Sequence, residues 1–169
     1  MPRSAVDRVH EVYATSYRRL VGQLTGVTGD PVEAEDAVME AFARAVGSGR
    51  SFLDADNPEA WLRTVAVNVT RTRWRRSRFF RDVSHRLVAE ESYADLPDDR
   101  LALLAALRQL PAAQREAIAL HHLADLPVHE VARETGAPEG TVKARLARGR
   151  AALQLLLADG LTDEGASHA

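Results

Sequence analysis

The sequence predicts an all-α protein of two small helical domains joined by a flexible acidic linker. Apolar residues recur at three- and four-residue spacing along almost the whole chain, and no stretch alternates as a strand would. One acidic segment in the middle loses the periodicity altogether. At 169 residues there is room for one ordinary domain or two small ones. With 46% hydrophobic and 27% charged residues, wholesale disorder is excluded. No apolar run approaches the roughly 20 residues that span a bilayer. Cysteine is absent, which excludes disulfides and thiolate metal sites and fits a reducing compartment. Met1–Asp7 has no apolar signal core, so the expected location is cytoplasmic.

Each element follows from its own pattern. Val6, Val9, Val12, Tyr13, Tyr17, Leu20, Val21 and Leu24 define an amphipathic helix over Ala5–Leu24, with Gly26 and Gly29 expected to break it. Asp30-Pro31-Val32-Glu33 supplies an N-cap acceptor, a proline at the first helical position and a glutamate at the third. The helix so begun turns Val38, Ala41, Phe42 and Ala45 inward and stops at Gly47-Ser48-Gly49. Asn57-Pro58 starts a third helix that runs to Arg78, with Trp61, Leu62, Val65 and Val69 as its apolar stripe. Phe79–Asp98 is acidic and aperiodic and reads as the linker. A second unit starts near Asp99 with Leu101, Leu104, Ala105 and Leu110, and Pro111 opens a further helix carrying Ile118, Ala119 and His122. A short helix over Val128–Thr135, the turn Gly136-Ala137-Pro138 and a longer helix from Glu139 to Ala158 complete it. Leu161–Ala169 is expected to fray. The domain expectation is therefore 1–80, a linker at 81–98, a second domain at 99–158 and a tail at 159–169.

The overall charge of −2 conceals blocks of alternating sign. Asp30–Glu59 carries eight acids against Arg44 and Arg50, whereas Trp61–Arg86 carries eight arginines against Asp82. Leu87–Arg100 is acidic again, and Glu139–Ala152 sets Lys143, Arg145, Arg148 and Arg150 against Glu139 alone. Such blocks read either as surfaces with different partners or as solvated helix faces.

Leu126–Leu153 has the helix-turn-helix arrangement, with Val142, Leu146 and Leu153 inward and Lys143, Ala144, Ala147, Arg148 and Arg150 outward. A helix of this kind either enters a major groove, reading base edges and holding phosphates, or is a basic face turned to solvent. Arg71–Arg81 mixes cations with Trp74, Phe79 and Phe80, which suits single-stranded nucleic acid, or else a core plug with solvated arginines around it. Glu33, Glu35, Asp36 and Glu40 form an acidic strip beside Met39. One straight helix face cannot converge oxygens on a metal ion, so a protein surface is the preferred reading. None of the six histidines has both ligand spacing and a carboxylate companion. No nucleophile constellation or phosphate loop stands out, so neither catalysis, a metal nor a cofactor is expected.

These residues resemble a known family. Leu24–Phe42, continuing through Asn57-Pro58-Glu59-Ala60-Trp61-Leu62 and Asn68–Arg76, is similar to region 2 of the extracytoplasmic-function (ECF) sigma factors of the sigma-70 family. Leu110–Glu116 through Gly136 and Gly140-Thr141-Val142-Lys143-Ala144-Arg145-Leu146-Ala147-Arg148-Gly149-Arg150 is similar to region 4. The resemblance implies a subunit that binds core RNA polymerase and directs promoter-specific initiation under control of an anti-sigma factor. It implies docking on the clamp helices of the largest polymerase subunit through Asp36, Met39, Glu40 and Phe42. Promoter DNA would be held at the −10 element by the Arg50–Asn57 loop, including Arg50 and Asn57, and by Trp61, Asn68, Arg71 and Arg75. The −35 element would meet Thr141, Lys143, Ala144, Arg145, Arg148 and Arg150. The polymerase flap is the implied partner of region 4, and membrane contact is expected only through an anti-sigma factor.

Three positions depart from the family pattern. Met39 stands where glutamine is usual, Pro127 and Pro138 replace the serines that usually cap both helices of the motif, and Ala147 is small where some relatives carry a larger groove-facing side chain. A free-standing helix-turn-helix regulator and a pure interaction module are the competing readings. The first needs no acidic strip followed by an Arg/Trp helix, and the second needs no cationic Lys143–Arg150 face.

Overall fold

The computed structural model describes residues 4–77 and 97–166, which belong to two compact units. Among the described residues there are helices and no strand. The linker expected at 81–98 lies outside them except for Pro97 and Asp98.

The first unit contains α1 (Ala5–Thr28) as far as Thr25, α2 (Pro31–Gly47), α3 (Arg50–Leu53) and α4 (Pro58–Ser77), and Gly26–Gly29 group with the second unit. α1 does not break at Gly26 as expected. A single glycine costs about 1 kcal/mol inside a helix, too little to end one, and the chain leaves the helix at Gly29, where φ is +75°. Asp30 caps α2, its Oδ1 accepting from the Val32 amide at 2.9 Å, with Pro31 in the first turn as the sequence predicts. Gly49, at φ +59°, turns the chain after α2. The expected loop at 50–57 holds the single helical turn α3. Leu20, Val38, Phe52, Leu62 and Val67 are fully buried, each contributing about 1.5–3 kcal/mol of transfer free energy. Arg19 and Ser16 tie α1 to α4. Arg19 Nε and Nη2 donate to Glu59 at 2.9 and 2.8 Å, and Ser16 Oγ donates to the same carboxylate at 2.9 Å.

The second unit contains α5 (Asp98–Gln109), α6 (Ala112–Ile118), a π-helical turn (Ala119–Leu123), α7 (Val128–Thr135) and α8 (Glu139–Ala166). α5 starts one residue before the expected Asp99. Ala105, placed in its apolar stripe by the sequence, is exposed, while Leu104, Ala106 and Leu107 are buried. α7 has the predicted bounds, and Gly136 ends it in the left-handed region at φ 69°, ψ 15°. α8 continues through Gly160 to Ala166, past the expected end at Ala158. Ile118, Leu120, Leu126, Val131, Val142 and Leu146 are buried and form the core.

Gly149 lets α8 approach α6 closely. A Cβ there would lie 2.8 Å from Ile118 Cγ1 and 3.2 Å from its Cδ1. Helix propensity favours alanine by about 1 kcal/mol, but overpacking costs about 1–3 kcal/mol, so Gly149→Ala lowers the melting temperature of this unit. Calorimetry checks this, and a melting temperature equal to or above the parent's would contradict it.

Candidate nucleic-acid interface

α2 presents its acidic strip on the side opposite its buried stripe. Asp36 is exposed and Met39 is 48% exposed, three positions along and therefore about 60° apart around the helix. Glu40 sits at the edge of that face and is engaged within the unit. Its Oε1 accepts from Arg44 Nη2 and its Oε2 accepts from Arg73 Nη2 of α4 at 2.7 Å. The Arg44 hydrogen bond, together with Arg73, holds the Glu40 carboxyl below the usual carboxylate range, and partial burial opposes it. Phe42, implied by the resemblance as a partner contact, is only 4% exposed. Its ring lies edge-on to Tyr13 at 5.2 Å, so it supports the face from behind. Tyr13, 41% exposed, stacks on Tyr17 at 4.6 Å. Burial and the nearby Glu35 raise the Tyr17 phenol.

α4 buries Leu62, Arg63, Ala66, Val67, Val69 and Thr70. At 100° per residue its opposite face carries Trp61, Asn68, Arg71 and Arg75 together. Asn68 and Arg75 are exposed, and Arg71 Nη1 donates to Asn68 Oδ1 at 3.4 Å. Trp61 is half-buried, with its ring edge-on to Phe52 at 5.2 Å and its Nε1–H donated to Ser51 Oγ at 3.2 Å. Asn57 caps α4, Oδ1 accepting from the Ala60 amide at 3.0 Å. Arg50 is exposed at the start of α3, and its carbonyl accepts from the Asp54 amide at 2.8 Å. Arg73 is separated from Arg71 and Arg75 by the helical turn and meets Glu40 instead.

The third face is on α8. Val142, Leu146 and Gly149 are buried, so Thr141, Lys143, Ala147 and Arg148 are turned to solvent with half-buried Ala144 between them. Arg145, half-buried, and Arg150, exposed, flank them on opposite sides. α7 is set against this helix by its entry. Pro127 stands at its N-cap with no side-chain cap, and its carbonyl accepts from the Glu130 and Val131 amides at 2.9 and 3.0 Å. His121 Nδ1 lies 2.7 Å from the Leu126 carbonyl, which can only accept, so the proton is on Nδ1. Burial, then His121 and Arg150, lowers the pKa of His122. Among the described residues no three His, Cys, Asp or Glu side chains gather at metal-binding spacing. No described helix is long and apolar enough to cross a membrane.

Sequence reasoning missed Arg8. From α1 it donates through Nη1 to the Leu53 carbonyl and through Nη2 to the Ala55 carbonyl at 2.8 Å, with its guanidinium carbon 5.9 Å from the Phe52 ring centroid. The partners are 45 and 47 residues away, and no local spacing announces them. The Glu40–Arg73 pair, 33 residues apart, was missed for the same reason.

Comparisons with known proteins identify the family of the chain. Residues 12–80 match the family described as Sigma-70 region 2, and residues 100–153 match Sigma-70, region 4. The RNA polymerase sigma-E factor of Streptomyces antibioticus is 31% identical over 91% of this chain and 87% of its own length. The ECF RNA polymerase sigma factor SigL of Mycobacterium tuberculosis is 35% identical over 78% of each chain. Among solved structures, the sigma factor RpoE of Bartonella quintana, crystallised with the anti-sigma factor NepR, superposes with a TM-score of 0.71 at 27% identity, covering 88% of this chain and 96% of that one. The chain belongs to the ECF RNA polymerase sigma factors of the sigma-70 family. Its function is that of a transcription initiation factor.

Proposed function

We propose that three helix faces divide the work of promoter-specific initiation. The exposed part of α2, Asp36 and Met39 with Glu40 at its edge, docks on the clamp helices of the largest polymerase subunit. The α4 face of Trp61, Asn68, Arg71 and Arg75, together with the Arg50–Asn57 segment, holds the parting strands of the −10 element. The α8 face lies in the major groove of the −35 element, where Lys143 and Arg148 read base edges while Arg145 and Arg150 hold phosphates. The second unit also meets the polymerase flap, and an anti-sigma factor covers the chain when it is inactive. The Bartonella quintana complex supports that last assignment by its likeness in fold.

The observation that carries the reading is the pairing of an exposed basic recognition face on α8 with a polar Arg/Asn/Trp face on α4 in one chain. A free-standing regulator has use only for the first. The test is affinity capture of purified bacterial core polymerase by the tagged full-length protein. One-to-one retention is expected, and a folded protein that retains no core polymerase would overturn the reading.

A further inference from the structure

We infer that Arg8 is a positioning residue for −10 recognition. It clamps the segment after α3 into one shape before DNA arrives. The inference rests on the proposed role of the Arg50–Asn57 segment and adds to it a residue from a different helix. Leu53 ends α3, and its carbonyl has no further helical turn to accept from, so it needs an outside donor. Arg8 supplies one through Nη1 and uses Nη2 on the Ala55 carbonyl two residues on. A planar guanidinium can bridge two acceptors in fixed geometry, whereas an ammonium on a flexible stem cannot hold both in one plane. A cation at a helix C-terminus is also favoured electrostatically.

The rest of the segment is fixed from other directions. Phe52 is fully buried beneath the Arg8 guanidinium and against the Trp61 ring. Ser51 accepts from Trp61, and Asn57 caps α4. Gly49, at φ +59°, admits the chain to α3 through a backbone conformation that few other residues adopt. Between these anchors the side chains of Asp54, Asp56 and Asn57 are exposed. The backbone that carries them is held at Leu53 and Ala55 by Arg8. A segment that selects one unpaired base must hold its polar groups to within about 0.5 Å, and a clamp of this kind provides that.

The experiment is in vitro transcription with core polymerase and full-length sigma on a library randomised at the −10 element. It compares the parent, Arg8→Met, Arg8→Lys and the loop variant Asp54→Ala/Asp56→Ala, with melting temperature and core affinity measured alongside. Arg8→Met keeps the aliphatic stem but donates nothing. It is expected to flatten the base preference at one −10 position by on the order of tenfold, the scale of a lost charge-assisted hydrogen bond. Core affinity is expected to stay at the parent's value, and Arg8→Lys is expected to fall between. If Arg8→Met lowers overall activity and melting temperature but leaves the preference profile unchanged, Arg8 is only a stability contact and the inference is overturned. If Asp54→Ala/Asp56→Ala also leaves the profile unchanged, the side chains carried on the clamped backbone do not read the −10 element. The inference is then overturned because the clamp has no reader to position, while the contacts proposed for Arg50 and the α4 face stand.

Discussion

Asp36→Arg combined with Met39→Glu lowers affinity for core polymerase by about a hundredfold, the effect of burying a reversed charge and an unpaired new one in a contact worth about 2–5 kcal/mol per disrupted pair. Both side chains are exposed on the outer face of α2, away from Ala34, Ala37, Val38, Ala41, Phe42 and Ala45. Helicity and melting temperature should therefore stay near the parent's. Glu40 is left alone in this variant for a structural reason. Its carboxylate already joins Arg44 to Arg73, so replacing it would release a basic side chain of α4 and mix two effects. Titration of labelled protein with core polymerase reads the outcome, and an affinity within about threefold of the parent's would remove α2 from the interface.

Replacing Lys143 or Arg148 with alanine should lower transcription mainly from promoters that carry the cognate −35 sequence. A good groove contact discriminates by about 1–3 kcal/mol, or roughly 5- to 150-fold, and this is lost only where the matching base is present. Both side chains are exposed one helical turn or so apart, beside Ala147, whose small side chain adds little reading surface. Replacing Arg75 and Arg76 together has a different signature. Phosphate contacts are nearly blind to sequence, so all promoters weaken alike, and the slope of log affinity against log salt flattens by about one per lost cation. Arg73 does not belong in that variant, because Glu40 engages it. If the Lys143 and Arg148 variants lost activity equally on cognate and scrambled −35 sequences, α8 would be a phosphate clamp and not a reader.

Local punctuation made much of the fold legible. Asp30-Pro31 announced the start of α2 because an N-cap acceptor and a proline in the first turn are both local requirements, and both are met. Gly136 announced the end of α7 because only a glycine takes the left-handed turn there without strain. The outward Lys143 and Arg148 followed from the inward Val142 and Leu146 by helical period alone. Features set by distant packing were not legible. Phe42 is buried as the apolar period of α2 predicts, but that its ring meets Tyr13 depends on where α1 lies. The cap that Asn57 Oδ1 gives α4 is local by contrast, and the following Pro58 marks it. The π-helical turn at Ala119–Leu123 has no glycine or proline to mark it. Arg8 and Arg73 find partners across the unit, and helical periodicity is silent about those.

In the proposed function, this one chain gives core polymerase its choice of promoter through two separate recognition faces. Reconstituted transcription from a library randomised at both the −35 and −10 elements tests it most directly. RNA is expected only from templates that carry a defined sequence at each element, with Lys143→Ala relaxing the upstream element alone and Arg8→Met the downstream element alone. Transcripts no more selective than those of core polymerase without the protein would contradict it.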